Sequence, residues 1–410
     1  MQNKKKLVRI TTTAEMLTNQ LSGQSMFMQQ RGFDVLMISS AEETEQPLMF
    51  KEGCRHIVIP MTRNITPFAD IRSLISLVRV IKKFKPDIVH TESPKAGLLG
   101  TIAAWMCGVK VRIHTVAGLP LMVERGLKLR ILKLVEKIGY GVATNVWPNG
   151  PSLSDYIVQN KYAKTSKLST IGKGSSNGID LQKFNLSTLD PQIFDEVKES
   201  IDYKEELTYL LFVGRMVYDK GVVELIDVFT ALQKTNPNLR LILIGYHERN
   251  LDPLLPKTEH EIDCNNDIIH INWSDRVEYF MALSHYFVFA SHREGFPNVL
   301  LEAGAMKLPI ICSNIVGNID IVQDGKTGIL FEVNNENAFK QAVEKALQNP
   351  EKSFEMSDKL HKVITANFER NIFRKKMFDE YLKLLGEKKT ESSNNIGSEL
   401  NRIPRQINSV

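Results

Sequence analysis

From Leu7 onward, short β-rich apolar runs alternate with longer stretches whose apolar residues recur at helical spacing, the pattern that builds parallel sheets covered by helices on both faces. Strands are predicted over residues 7–10, 34–40, 56–61, 87–90, 109–116 and 144–148, with helices between them over 15–30, 71–84, 96–107 and 127–142. That is one α/β domain. A second series follows Gly178-Ile179-Asp180, with strands over 207–213, 239–245, 267–272, 286–290 and 309–313 and helices over 222–234, 277–283 and 299–307. Glycines and small polar residues in 172–178 suit a hinge. The expected division is therefore residues 1–175, residues 176–366, a terminal helix over 367–385 and a Ser-, Asn- and Lys-rich tail, 386–410, expected to be disordered.

Composition adds limits. At 410 residues the chain exceeds one ordinary core, since a domain takes ~150 residues. A hydrophobic fraction of 43% and a charged fraction of 24% are those of a globular protein. The formal charge of +5 is small for this length and argues against a dedicated nucleic-acid binder. Cys54, Cys107, Cys264 and Cys312 lack metal-binding spacing, so neither a zinc site nor a disulfide framework is indicated. The start, Lys4-Lys5-Lys6-Leu-Val-Arg, carries no apolar segment, and the run 97–109 is too short to span a bilayer. A cytoplasmic location is expected.

The chemistry concentrates in loops that leave the carboxyl ends of strands. In Glu294-Gly-Phe-Pro-Asn-Val-Leu-Leu-Glu302 a strand hands over to a polar loop and then to a helix, with Pro297 suited to its first position. That geometry aims unpaired N–H groups at an anion, while Glu294 and Glu302 suit sugar hydroxyls. A surface glutamate and a helix glutamate paired to a lysine fit the same letters. Gly214-Arg215 followed by Lys220-Gly221 places two cations after a buried strand, suited to a diphosphate, or to an ordinary basic loop. No Asp-x-Asp occurs, so protein cations rather than a metal would neutralise that charge.

In the first half, the loop 11–23, which includes Thr13 and Gly23, lies where doubly wound folds bind ligands, but it lacks Gly-x-Gly-x-x-Gly. Nicotinamide and flavin thereby lose their main support. His114, near the end of a strand and followed by Ala117-Gly118, either faces the cleft or is structural. Cations also recur along two helical stretches, Arg72, Arg79, Lys82, Lys83 and Lys85 in one, and Arg125, Lys128, Arg130, Lys133 and Lys137 in the other. The second interleaves them with Leu127, Leu129, Ile131, Leu132, Leu134, Val135 and Ile138, a pattern shared by helices resting on anionic lipid and by solvated helix faces.

Taken together, these pieces resemble the retaining glycosyltransferases of family 4. The resemblance rests on Lys95-Ala-Gly-Leu-Leu-Gly100, the Thr-Val-x-Gly element at 115–118, Gly174-Ser-Ser-Asn-Gly-Ile-Asp180, Gly214-Arg215 with Lys220-Gly221, and Glu294 through Glu302. It implies the fold called GT-B, α/β with two Rossmann-like doubly wound domains facing across a cleft. It implies that Gly214, Arg215, Lys220, Ile271, Gly295, Phe296, Pro297, Asn298 and Glu302 hold a nucleotide-sugar donor, and that Arg215, Lys220 and Glu294 serve catalysis. Thr13, Gly23, His114 and Gly118 would lie on the acceptor side. Many relatives carry a histidine where this chain has Ala117, so that imidazole role does not transfer.

The function so implied is transfer of a hexosyl or N-acetylhexosaminyl group, with retention, from a nucleotide sugar of the UDP type to a glycan or lipid-diphosphate-linked acceptor in cell-surface polysaccharide synthesis. No cofactor or metal is expected, nor nucleic acid, and the inner membrane face is a further expected partner. A non-catalytic nucleotide-sugar-binding protein and a nucleotide-sugar epimerase of similar fold are the alternatives.

Overall fold

The computed structural model describes residues 4–41, 48–62, 64, 66–249 and 252–387. The tail expected to be disordered lies, beyond Glu387, outside the described residues. The first half runs β1 (Lys6–Ile10), α1 (Gln24–Gln30), β2 (Asp34–Ser39), α2 (Leu48–Glu52), β3 (Arg55–Val58), α3 (Pro67–Phe84), β4 (Ile88–Glu92), α4 (Pro94–Met106), β5 (Val111–Val116), α5 (Gly126–Val142) and β6 (Asn145–Pro148). Then come α6 (Pro151–Gln159), α7 (Pro191–Ser200), β7 (Thr208–Val213), α8 (Val222–Gln233), β8 (Leu239–Ile244), α9 (Pro256–Cys264), β9 (Ile268–Ile271), α10 (Val277–Leu283), β10 (Tyr286–Phe289), α11 (Asn298–Ala305), β11 (Ile310–Ser313), β12 (Ile329–Phe331), α12 (Glu336–Gln348), α13 (Pro350–Asn367) and α14 (Arg370–Leu384).

The strands form two six-stranded sheets, in the orders β3-β2-β1-β4-β5-β6 and β12-β11-β10-β7-β8-β9. All neighbours pair in parallel. In each sheet the chain works outward from a central strand, then returns to that strand's other side. The crevices so created lie between β1 and β4 and between β7 and β10, at the carboxyl ends, where open α/β sheets bind ligands.

Alternation along each strand feeds two cores. Leu7, Val35 and Ile88 face α1 and α14, while Val8, Leu36 and Val89 face α3 and α4. The second sheet is buried on both sides, which is why Tyr209 to Phe212 read as an unbroken apolar run. The last helix, α14, thus packs on the first sheet. Its Phe373, Met377 and Tyr381 belong to that core, and Tyr381 stacks on Trp147 with ring centroids 5.7 Å apart.

Tyr381 also closes a polar chain inside this core. Arg9 pairs with Glu92 and donates to the Tyr381 hydroxyl at 2.9 Å. Arginine only donates, so the hydroxyl accepts from Arg9 and gives its own proton to His90 Nδ1, 2.5 Å away. His90 Nε2–H then donates to Thr115 Oγ1 at 2.6 Å. Burial holds the imidazole pKa well below its usual value, keeping it neutral as this chain requires.

Two expectations are corrected here. The helix expected over 15–30 is broken: Met16–Gln20 winds as a π-helix, and α1 begins only after Gly23, whose φ of 72° reverses the chain. Pro297 stands just before α11 rather than at its first position.

Candidate active site

Most of the expected donor-site residues lie on the two loops that flank the crevice between β7 and β10 and on the start of α11. The loop after β7 carries Arg215 and Lys220, and the loop after β10 carries Glu294. Gly221, with φ of 68°, lets the first loop lie on the end of β10: a Cβ there would sit 2.1 Å from the Ala290 carbonyl oxygen. This close approach brings Lys220 onto Glu294 as an ion pair, with the Ser291 hydroxyl donating to the same carboxylate at 2.8 Å. Lys220 Nζ also lies 5.6 Å from the Phe289 ring centroid, a cation–π contact. Both members of the pair are largely shielded from solvent.

Arg215 does not join them. It pairs with Glu248 on the loop after β8, a residue that sequence reasoning passed over. Its signal was position alone: a polar run, His247-Glu248-Arg249, directly after a buried strand at the crevice edge.

Glu302 lies one turn inside α11; its carbonyl accepts from Met306 N at 3.0 Å. Burial raises its pKa to about 7, with Lys183 and Arg370 partly opposing that rise and Glu278 adding to it. Asn298 opens the same helix, and its Oδ1 is buried with no hydrogen-bond partner among the described residues. The first amides of α11 lack intrahelical acceptors, so this end of the helix favours an anion. Ile271 closes β9, and its carbonyl accepts from Gly245 N at 2.9 Å.

The remaining expected residues divide. Gly295 faces the first domain directly: a Cβ on it would lie 1.8 Å from the Ala117 carbonyl oxygen, with Gly118 alongside. Phe296 points instead into the junction, against Gly150, Gly174 and Phe368, as a packing group. Gly23 spends its amide on Glu52 Oε1 at 2.6 Å and abuts Arg374. Thr13 accepts from Thr11 Oγ1 through its carbonyl at 2.8 Å, at the end of β1.

His114 is placed on the helix side of β5, not in the cleft. Thr91 Oγ1 lies 2.9 Å from its Nδ1, Tyr140 covers its ring, and a Cβ on Gly97 would lie 2.2 Å from it. Burial lowers its pKa to about 4. The acceptor-side expectation for His114 is thus corrected: its ring is enclosed by Thr91, Gly97 and Tyr140, and Thr115 on the opposite face is enclosed in turn against His90.

Across the junction, Ser152 N and Oγ donate to Asp320 at 3.0 and 2.7 Å, so a carboxylate after β11 caps the start of α6. Ser152 Oγ in turn accepts from Gly317 N at 3.0 Å.

Known proteins are similar to this chain in sequence and in fold. Residues 193–363 match the model described as glycosyl transferases group 1, and residues 24–174 match the glycosyl transferase 4-like domain. A capsular polysaccharide biosynthesis glycosyltransferase, CapM of Staphylococcus aureus, is 35% identical over 340 residues, covering 80% of this chain and 84% of the relative. The chain belongs to glycosyltransferase family 4.

The family 4 enzyme is also 29% identical to a UDP-Gal:alpha-D-GlcNAc-diphosphoundecaprenol alpha-1,3-galactosyltransferase of Escherichia coli, over 71% of this chain and 74% of that one. Its fold matches Anabaena HepE, solved with UDP and glucose, at a TM-score of 0.76 and 13% identity, over 92% of this chain and all of that one. The two-domain GT-B architecture is therefore established for this glycosyltransferase, and its activity is glycosyl transfer. Neither epimerisation nor passive binding is favoured.

Proposed function

We propose that this glycosyltransferase moves a hexosyl or N-acetylhexosaminyl group, with retention, from a UDP-type donor held at the β7/β10 crevice to a lipid-diphosphate-linked sugar. The observation that carries the reading is the pairing of Lys220 with Glu294 at the point where the second sheet reverses its strand order. As the glycosidic bond breaks, negative charge grows on the leaving diphosphate oxygen. Lys220, Arg215 and the α11 amides stabilise that charge more in the transition state than in the ground state. Glu294 and Glu302 accept hydrogen bonds from the sugar and ribose hydroxyls. No protein nucleophile is assigned, because the donor phosphate takes the acceptor's proton on the same face. The protein's own cations do the work a metal does elsewhere.

The acceptor side of the reading draws on the relatives and on the outer face of the first domain. The E. coli relative acts on a diphosphoundecaprenol-linked sugar, by its name. Here Leu127, Ile131, Leu134 and Ile138 are all exposed along α5, among exposed Arg125, Lys128, Arg130 and Lys137. Phe68, Ile71 and Ile75 are exposed at the start of α3, on the same side of the sheet. Apolar residues flanked by cations suit the surface of an anionic membrane. No helix among the described residues is long and apolar enough to cross one. A cytoplasmic enzyme that works at the inner membrane face is consistent with this.

Incubation with a panel of nucleotide sugars and a short-chain lipid-diphosphate sugar tests the reading. Transfer with the donor's anomeric configuration kept, read by NMR of the product, is the expected result. A panel in which no donor is turned over or raises the melting temperature would sink it.

A further inference from the structure

Both cations of the proposed diphosphate site are already held by carboxylates, and the mechanism gives work to only one of these. Glu294 turns to the sugar. Glu248 has no assigned task, yet its position is strongly built. The loops after β7 and β8 are fastened together: Gly214 N donates to Ile244 O and Met216 N to Tyr246 O, both at 2.9 Å, and Met216 bridges to His247. A Cβ on Gly245 would lie 1.8 Å from the Gly214 carbonyl oxygen, so only glycine permits this approach. Behind the loop, His247 stands edge-on to His270 at 5.2 Å, and the Gly245 carbonyl accepts from His270 Nε2 at 2.9 Å. Glu248 is left 12% exposed against 36% for Arg215: the carboxylate is set in the wall and the guanidinium is the freer partner.

Charge balance governs how a ligand enters. Arg215 and Lys220 are each paired with a carboxylate, Glu248 and Glu294, so a diphosphate that draws on either cation competes with a carboxylate already in place. Arg215 cannot serve Glu248 and a diphosphate fully at once.

We propose that Glu248 is a competing counter-ion: it holds Arg215 in the empty site, yields it to the donor diphosphate, and reclaims it as the nucleoside diphosphate leaves. This rests on the reading of Arg215 as a diphosphate ligand given above. Glu248 thereby sets how firmly the product is retained, and donor binding is an exchange of ion pairs rather than the filling of a bare cationic pocket.

Calorimetric titration of the full chain with UDP and with uridine tests the exchange. Glu248→Gln should bind UDP about fivefold more tightly, the scale of one partly exposed ion pair, and bind uridine unchanged. The gain should vanish in the Arg215→Met/Glu248→Gln double variant. Damage to the fold only weakens binding, so a gain is not a folding artefact, and Glu248→Ala should shift affinity the same way. UDP affinity unchanged or weakened in both Glu248 variants, with Arg215→Met weaker than wild type, would overturn the proposal alone. Wild-type UDP affinity in Arg215→Met would remove the donor-site reading and this proposal together.

Discussion

Arg9–Glu92 and Arg215–Glu248 join the same two functional groups, the first across β1 and β4 and the second between the loops after β7 and β8, and they do opposite work. The first pair is 2% and 3% exposed and shares its donors with Tyr381. The second keeps a guanidinium at the rim. Desolvating two ions costs several kcal/mol each, and the cost is recovered only when every remaining donor and acceptor is engaged. In the first domain, α14 supplies the missing partner and the crevice becomes structure. In the second, Arg215 keeps 36% of its side chain exposed, and its ion pair remains available for exchange with a ligand. What separates a fastening from a binding site is the lid, not the charges.

The sharpest way to break this comparison is at the sealed pair. Glu92→Gln leaves Arg9 buried without its counter-charge and should cost about 3–5 kcal/mol of stability, measured by denaturant unfolding; a loss below ~1 kcal/mol would mean that the pair is dispensable. At the open site the effect should move from stability to rate. Lys220→Ala should lower kcat by roughly a hundredfold or more, as loss of one transition-state donor does, while the melting temperature stays near wild type. Unchanged kinetics would end the catalytic role of Lys220.

Glu302 distinguishes the two regimes by pH. Its folded pKa is about 7 against 4.5 unperturbed, raised by burial, so the folded state holds the proton more tightly than the unfolded chain. The stability it contributes is fully present below about pH 4.5 and is lost as pH rises through about 7. Glu302→Gln keeps the shape without the charge. The ligand-free variant should melt close to wild type at pH 5 and several degrees higher at pH 8; equal melting at both would refute the assignment. The smallest effect expected is that of a chelator: turnover in EDTA should match turnover without it, and a rate restored only by added divalent ion would contradict the cation-based mechanism.

Much of this was legible in the letters. Apolar runs marked eleven of the twelve strands among the described residues, because parallel strands covered on both faces must be apolar throughout. The one missed, Ile329–Phe331, is three residues long, too short to stand out from its surroundings. The loops with Arg215, Lys220 and Glu294 stood out because polar residues directly after buried strands are placed at a crevice by topology alone. Partnership was not legible. Nothing in the spacing shows that Glu248 reaches Arg215, that Gly23 gives its amide to Glu52, or that Phe296 fills the junction, since each depends on loops brought together by distant crossovers. His114 illustrates the limit: alternation tells that neighbours oppose each other, but not that both are covered, His114 by Tyr140 and Thr115 by His90.

Tyr381 has a consequence in time. Arg9 is synthesised 372 residues ahead of the phenol that completes its surroundings. A nascent first domain must therefore wait with an ionic gap in its interior until α14 has been made. Truncations ending before α14 should accumulate as chaperone-bound or protease-sensitive fragments, even though every strand of the first sheet is present in them.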